Sequence, residues 1–102
     1  MKNPYKLSEA VEYSNGSVVS KTIIKKPSGT VTLFAFDKGE ELSEHTASFD
    51  ALIFITDGEA QITIGGEPHS VHSGELIELP ANVPHAVKAT EKFKMMLIML
   101  KD

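Results

Sequence analysis

At 102 residues, 41% hydrophobic and 24% charged with a net charge of −4, the chain has the balance of one small globular domain and is too short for two. The mild, scattered negative charge excludes a basic nucleic-acid stripe. All ten basic residues are lysines, which removes the bidentate guanidinium fork used on phosphates and carboxylates, and the lack of cysteine rules out disulfides, thiolate metal sites and thiol catalysis.

Residues 1–16 carry Pro4, Asn15 and Gly16 around "LSEAVEY", enough for about one helical turn. They read as an extension packed on the domain or on a partner subunit, with residues 17–102 forming the domain itself. This N-terminus lacks the apolar core of a signal peptide, and the longest apolar run, "MMLIML", is far too short to span a bilayer. The expectation is a cytoplasmic protein without membrane contact. "SVVSKTIIKK" and "GTVTLFAF" are β-branched and aromatic, separated by the turn signal "PSG". "DKGEEL" reads as a polar turn, "ASFDALIFIT" as a strand, "DGEA" as a turn and "AQITIGG" as another strand. "PHSV", "SGELIELP", "PHAVKA" and "FKMMLIML" complete a series of about eight short runs bounded by Gly, Pro, Asn and Asp. No helical period is long enough to cross over, so the prediction is all-β and antiparallel. "KTIIKK" and "EKFKMM" read as solvated edges, whose lysines discourage strand-to-strand aggregation. "ALIFI" and "MMLIML" are apolar at both alternating positions and should bury both faces.

Two spacings organise the middle of the chain. Gly39 is followed after five residues by His45, and Gly58 stands at the end of the same segment; Gly74, Pro80 and His85 form a second set. In these spacings the chain resembles the cupins, as a small single-domain member of the RmlC-type. The resemblance implies one double-stranded β-helix, or jelly-roll, barrel. It also implies a metal site of three histidines and one glutamate. The family's second histidine falls at Ala47 and its glutamate at Ala51; in the second motif Asn82 replaces a glycine and Ala89 replaces an asparagine. Of the expected ligands this chain retains His45 and His85.

Two imidazoles are fewer than the three or four protein ligands usual for zinc, or the facial triad of non-heme iron. The resemblance therefore implies at most a weakly held divalent ion (Zn, Fe, Mn or Ni) on His45 and His85, or none. If residues 45 to 51 form a strand, alternation puts His45, Ala47, Phe49 and Ala51 on one inward face, with Asp50 pointing away. Two alanines in place of ligands leave an apolar pocket, with Phe49 as a wall and the histidines as its polar groups. Leu52 and Phe54 then face outward and are expected to meet a second subunit, at a homodimer interface, or the N-terminal strands "VVSKTII". His69 and His72, three residues apart, fall on opposite strand faces and do not pair, and Met95, Met96 and Met99 read as core or interface.

Two functions follow from the resemblance. One is a binding barrel for a small sugar-like or enol-like molecule, with at most a two-histidine metal site. The other is a metal-dependent enzyme of isomerase, decarboxylase or dioxygenase type.

Overall fold

The computed structural model describes residues 4–101; of the predicted extension, residues 1–3 lie outside the described residues, as does Asp102. The strands are β1 (Val18–Lys26), β2 (Gly29–Phe36), β3 (Glu41–His45), β4 (Asp50–Ile64), β5 (Glu67–His72), β6 (Leu76–Leu79), β7 (His85–Lys88) and β8 (Phe93–Leu100), preceded by a 3-10 turn at Leu7–Glu9. Every pairing is antiparallel. One sheet runs β1-β2-β8-β4-β6 and the other β5-β4-β7-β3, with β4 shared. The sheets curl together as the expected jelly-roll barrel.

Alternation on β2 explains where the core sits. Phe34 and Phe36 point between the sheets with Ile53, Ile55, Ile62, Phe93 and Met95, and the Phe36 and Phe93 rings stack at 4.6 Å. Leu33 and Ala35 point the other way and are buried all the same. They are covered by Leu7, Ala10, Val11 and Tyr13 of the N-terminal segment, which lies across the outside of the first sheet.

The strand boundaries differ from the expected ones in two places. "DGEA" does not turn the chain. β4 runs on for 15 residues, because both of its neighbours continue the ladder: Asp57 pairs with Lys94, and Glu59 with His72. Instead the signal marks a bulge between Ile55 and Asp57, followed by Gly58 at φ 73°, where an added Cβ would collide with the Lys92 carbonyl oxygen. In "DKGEEL" only the start is a turn. Glu41–His45 forms β3, whose polar character fits a strand that pairs on one side only, with β7.

The lysine segments also part company. β1, carrying "KTIIKK", is an edge strand with exposed lysines. Lys94 of "EKFKMM" is 7% exposed, which corrects the solvated-edge expectation. Its Nζ donates to the Ser8 carbonyl and stands 4.8 Å from the centre of the Tyr13 ring, as does Lys92 Nζ. The Tyr13 hydroxyl donates to Asp57 Oδ2 at 2.6 Å. Burial first, then the Asp57 hydrogen bond and charge, push the Tyr13 pKa well above the ordinary tyrosine value. Behind this clasp, Asp37 accepts from the Gly16 and Lys38 amides, which hold its carboxyl below the usual range.

Tyr13→Phe removes the bond to Asp57 and should cost about 1 kcal/mol, a fall in melting temperature of roughly 5 °C. A folded pKa above the unfolded one gives stability that is present below about pH 10 and lost as pH rises beyond it. Melting curves of both proteins should therefore converge above about pH 10, and a gap that persists there would remove the hydroxyl from this role.

Candidate functional site

β3 and β7 are adjacent and antiparallel, and His45 and His85 are direct cross-strand partners. Opposed residues share a face, so both rings enter the barrel from one wall. The rings meet edge-on with centroids 4.4 Å apart, and their Nε2 atoms are 3.1 Å apart. Nδ1 of His45 lies 2.7 Å from the Ser43 carbonyl oxygen, and Nδ1 of His85 lies 3.2 Å from that of Val83. A carbonyl can only accept, so each Nδ1 carries a proton and each neutral ring turns the lone pair of Nε2 toward the other. Two lone pairs at that distance repel unless a proton, a hydrogen-bond donor or a cation stands between them.

His85 is 7% exposed, whereas His45 is at the opening. Desolvation lowers the His85 pKa, the neighbouring His45 lowers it further, and the Val83 carbonyl opposes both without winning. The deeper imidazole is thus biased toward its neutral, lone-pair-bearing form.

The two histidines open on a cavity of about 70 Å³. Ala47, Phe49 and Ala51 line it together with Leu42, Ile53, Leu79 and Val87, and Met95, Leu97 and Met99 of β8 form the opposite wall. The route by which residues 45 to 51 reach the pocket is not the expected continuous strand. β3 ends at His45, β4 begins at Asp50, and residues 46–49 form a bend between the two sheets. The bend is anchored from below: Asn82 N donates to the Ala47 carbonyl at 2.7 Å, and Ala81 N to Asp50 Oδ1 at 2.8 Å. Asp50 is thereby used as a tether and does not line the cavity.

Asn82 sits at φ 65°, in the left-handed region that favours glycine. Asparagine is among the side chains that tolerate this conformation best, which explains why it can stand at a glycine position of the motif. Ala89, at the motif's asparagine position, is buried against the turn at residues 39–40, where it exchanges backbone hydrogen bonds with Gly39 and Glu40. Neither the cavity lining nor any cluster among the described residues gathers three His, Cys, Asp or Glu side chains around one point.

The remaining histidines lie elsewhere. His69 is half-buried on β5 and does not line the cavity. His72 is exposed between Glu59 and Glu75, at 3.1 and 3.2 Å, and forms a surface ion pair when protonated. Met96 faces the N-terminal segment, while Met95 and Met99 line the pocket. Of the cavity residues, sequence reasoning did not group Ile53, which continues the alternation from Ala51, or Met95 and Met99, which it read as core or interface, and it missed Leu42, Leu79, Val87 and Leu97. The last four become apparent only once strands distant in sequence are brought into register.

Residues 32–101 match the Cupin_2 family of cupin domains, and the chain belongs to that family. It is similar throughout to the crystal structure of a conserved protein of unknown function from Streptococcus pyogenes: 33% identity, all of this chain, 90% of that one, TM-score 0.95. A cupin 2 conserved barrel domain protein from Leptotrichia buccalis is 48% identical with a TM-score of 0.92, and the match covers 95% of this chain and 47% of that one. A cupin superfamily protein from Desulfitobacterium hafniense is 29% identical over all of this chain and 94% of its own, TM-score 0.94. An uncharacterised protein of Streptomyces coelicolor is 36% identical over 56 residues, and this match covers about half of either chain. Salicylate 1,2-dioxygenase from Pseudaminobacter salicylatoxidans shares the fold at 13% identity and a TM-score of 0.74.

Asn82→Ala should cost about 1 kcal/mol through left-handed backbone strain, and Asn82→Gly appreciably less. Urea titration of the two variants measures the difference; equal losses would place the cost in the side chain's contacts and not in φ.

Proposed function

We propose that this cupin binds a small molecule inside the barrel, with His45 and His85 as its polar contacts. One observation supports this reading above the others: the Nε2 atoms of two imidazoles face each other, 3.1 Å apart, in a cavity otherwise lined by apolar side chains. Such a pair favours a ligand that presents a hydrogen-bond donor, such as an enol or alcohol. The volume of about 70 Å³ is small beside the few hundred usual for ligand pockets, and it favours a compact enol-like molecule over a sugar ring.

The same pair fits one divalent ion. Two imidazole nitrogens held about 2.0–2.1 Å from a tetrahedral zinc lie about 3.3 Å apart, close to the separation observed. With Ala47 and Ala51 beside them the fit is to two protein donors and no more, a weak and labile site. When bound, an ion there would act as a Lewis acid on a ligand oxygen. His45 and His85 would hold it, while Phe49 and the β8 methionines exclude water. That is the support for the second reading, a metal-dependent isomerase, decarboxylase or dioxygenase.

Metal analysis of protein purified without tag or chelator separates the two. The binding reading expects substoichiometric metal, unchanged in a His45→Ala/His85→Ala double variant. Near-stoichiometric metal that vanishes in the variant would overturn it in favour of the enzyme.

A homodimer is the second part of the proposal. The N-terminal segment covers Leu33, Ala35 and Met96 on the outer face and reaches the side of Phe54. Among the described residues the next cross-strand row, Leu52, Ile98, Val31 and Ile24, has no such cover, and it is flanked by the exposed Leu76 and Leu100. A second copy of the chain is the natural occupant. Leu52→Lys should give monomers or insoluble protein by sedimentation, and a soluble dimer of unchanged stability would refute the interface.

A further inference from the structure

Beside one wall of the pocket, at Phe49, stands a charge that the lining itself lacks. Leu97 and Met99 alternate into the cavity from β8, and the next residue in that series is Lys101. Its backbone is fixed where the strand ends, with Lys101 N donating to the Ser28 carbonyl at 2.8 Å. The ammonium stands 5.4 Å from the centre of the Phe49 ring, and Phe49 is itself a wall of the cavity. Among the lining residues there is no carboxylate. Among those lining side chains a cationic ligand would find no counter-charge and an anionic one no repelling charge.

The two ends of the site therefore ask for different groups. At His45 and His85, whose Nδ1 atoms face carbonyl oxygens, the neutral rings accept from a donor through Nε2. Beside Phe49, Lys101 attracts an anion while leaving it in contact with water, which avoids the cost of burying a charge among apolar side chains. A cavity of about 70 Å³ has room for a chain of only a few carbons. We infer that the ligand is a short monocarboxylate bearing a hydroxyl or enol, its carboxylate beside Lys101 and its hydroxyl end at the paired histidines. The inference rests on the small-molecule reading above and adds the anionic group to it.

The test is a titration with hydroxy acids and their uncharged counterparts, lactate against lactamide and 3-hydroxybutyrate against 3-hydroxybutyramide. Binding is followed by the NMR shifts of the Met99 and Ala47 methyls and the His85 ring. In the wild-type protein each acid should bind about three- to fivefold more tightly than its amide, the scale of one exposed charge pair. Lys101→Ala should bring that ratio close to one, Lys101→Arg should restore it, and added salt should reduce it. Amides that bind as well as the acids, or a preference that survives Lys101→Ala, would overturn the inference and leave the binding barrel standing. If neither acids nor amides move the pocket resonances, the inference is overturned, and the small-molecule reading passes to other compact enols and alcohols.

Discussion

The crossing of β4 from one sheet to the other is the constraint on which the remaining structure depends. Its first half pairs with β8 and β6, its second half with β5 and β7. A flat strand cannot serve both sheets of a closed barrel, because the sheets diverge in direction. The bulge after Ile55 and the positive φ of Gly58 supply the bend, at a point where the Lys92 carbonyl leaves no room for a Cβ. Once β4 is bent there, β7 is brought beside its second half, β3 beside β7, and the two histidines face each other across β3 and β7. A glycine at the closing position of a motif that names metal ligands thus serves the geometry of the barrel and lies away from the ligands themselves.

That division lets the cavity wall keep its shape whatever side chains stand at positions 47 and 51. Ala47 and Ala51 occupy positions that bear ligands in the family motif, yet the bend that carries Ala47 is held by backbone groups, the Ala47 carbonyl among them, and by Asp50. None of these tethers needs a metal. Alanines at these two positions leave volume and apolar surface in the cavity wall. They concentrate the polar character of the cavity in one pair of imidazoles.

The sequence carried the fold plainly, since motif spacing, turn residues and β-branched runs all agreed on one barrel. It carried the site less completely. His45, Ala47, Phe49 and Ala51 were grouped by strand alternation, and they do line one cavity, but the bend at residues 46–49 and not a continuous strand brings them there. Local spacing cannot tell a strand from a well-tethered bend when both return alternate residues to the same side. Leu42, Leu79, Val87 and Leu97 were not legible, because their place depends on the cross-strand register. "DGEA" misled for a related reason: a glycine with positive φ is needed equally for a reversal and for a bulge, and the partners on either side decide which forms.

Lys94 shows where composition is least informative. In a lysine-rich segment its side chain looks like another solvated charge, yet it lies on the outer face of β8, under the N-terminal segment. A buried ammonium must find acceptors, and here the Ser8 carbonyl and the electron-rich face of Tyr13 supply them. Tyr13 is in turn oriented by Asp57, in the bulged stretch where β4 changes sheet. The segment that covers Leu33, Ala35 and Met96 is therefore latched to the same bend that sets the barrel's geometry. A loss at either end of this chain of contacts would loosen the outer cover and the crossing strand together, which ties the stability of an apparently peripheral segment to the wall that carries the histidines.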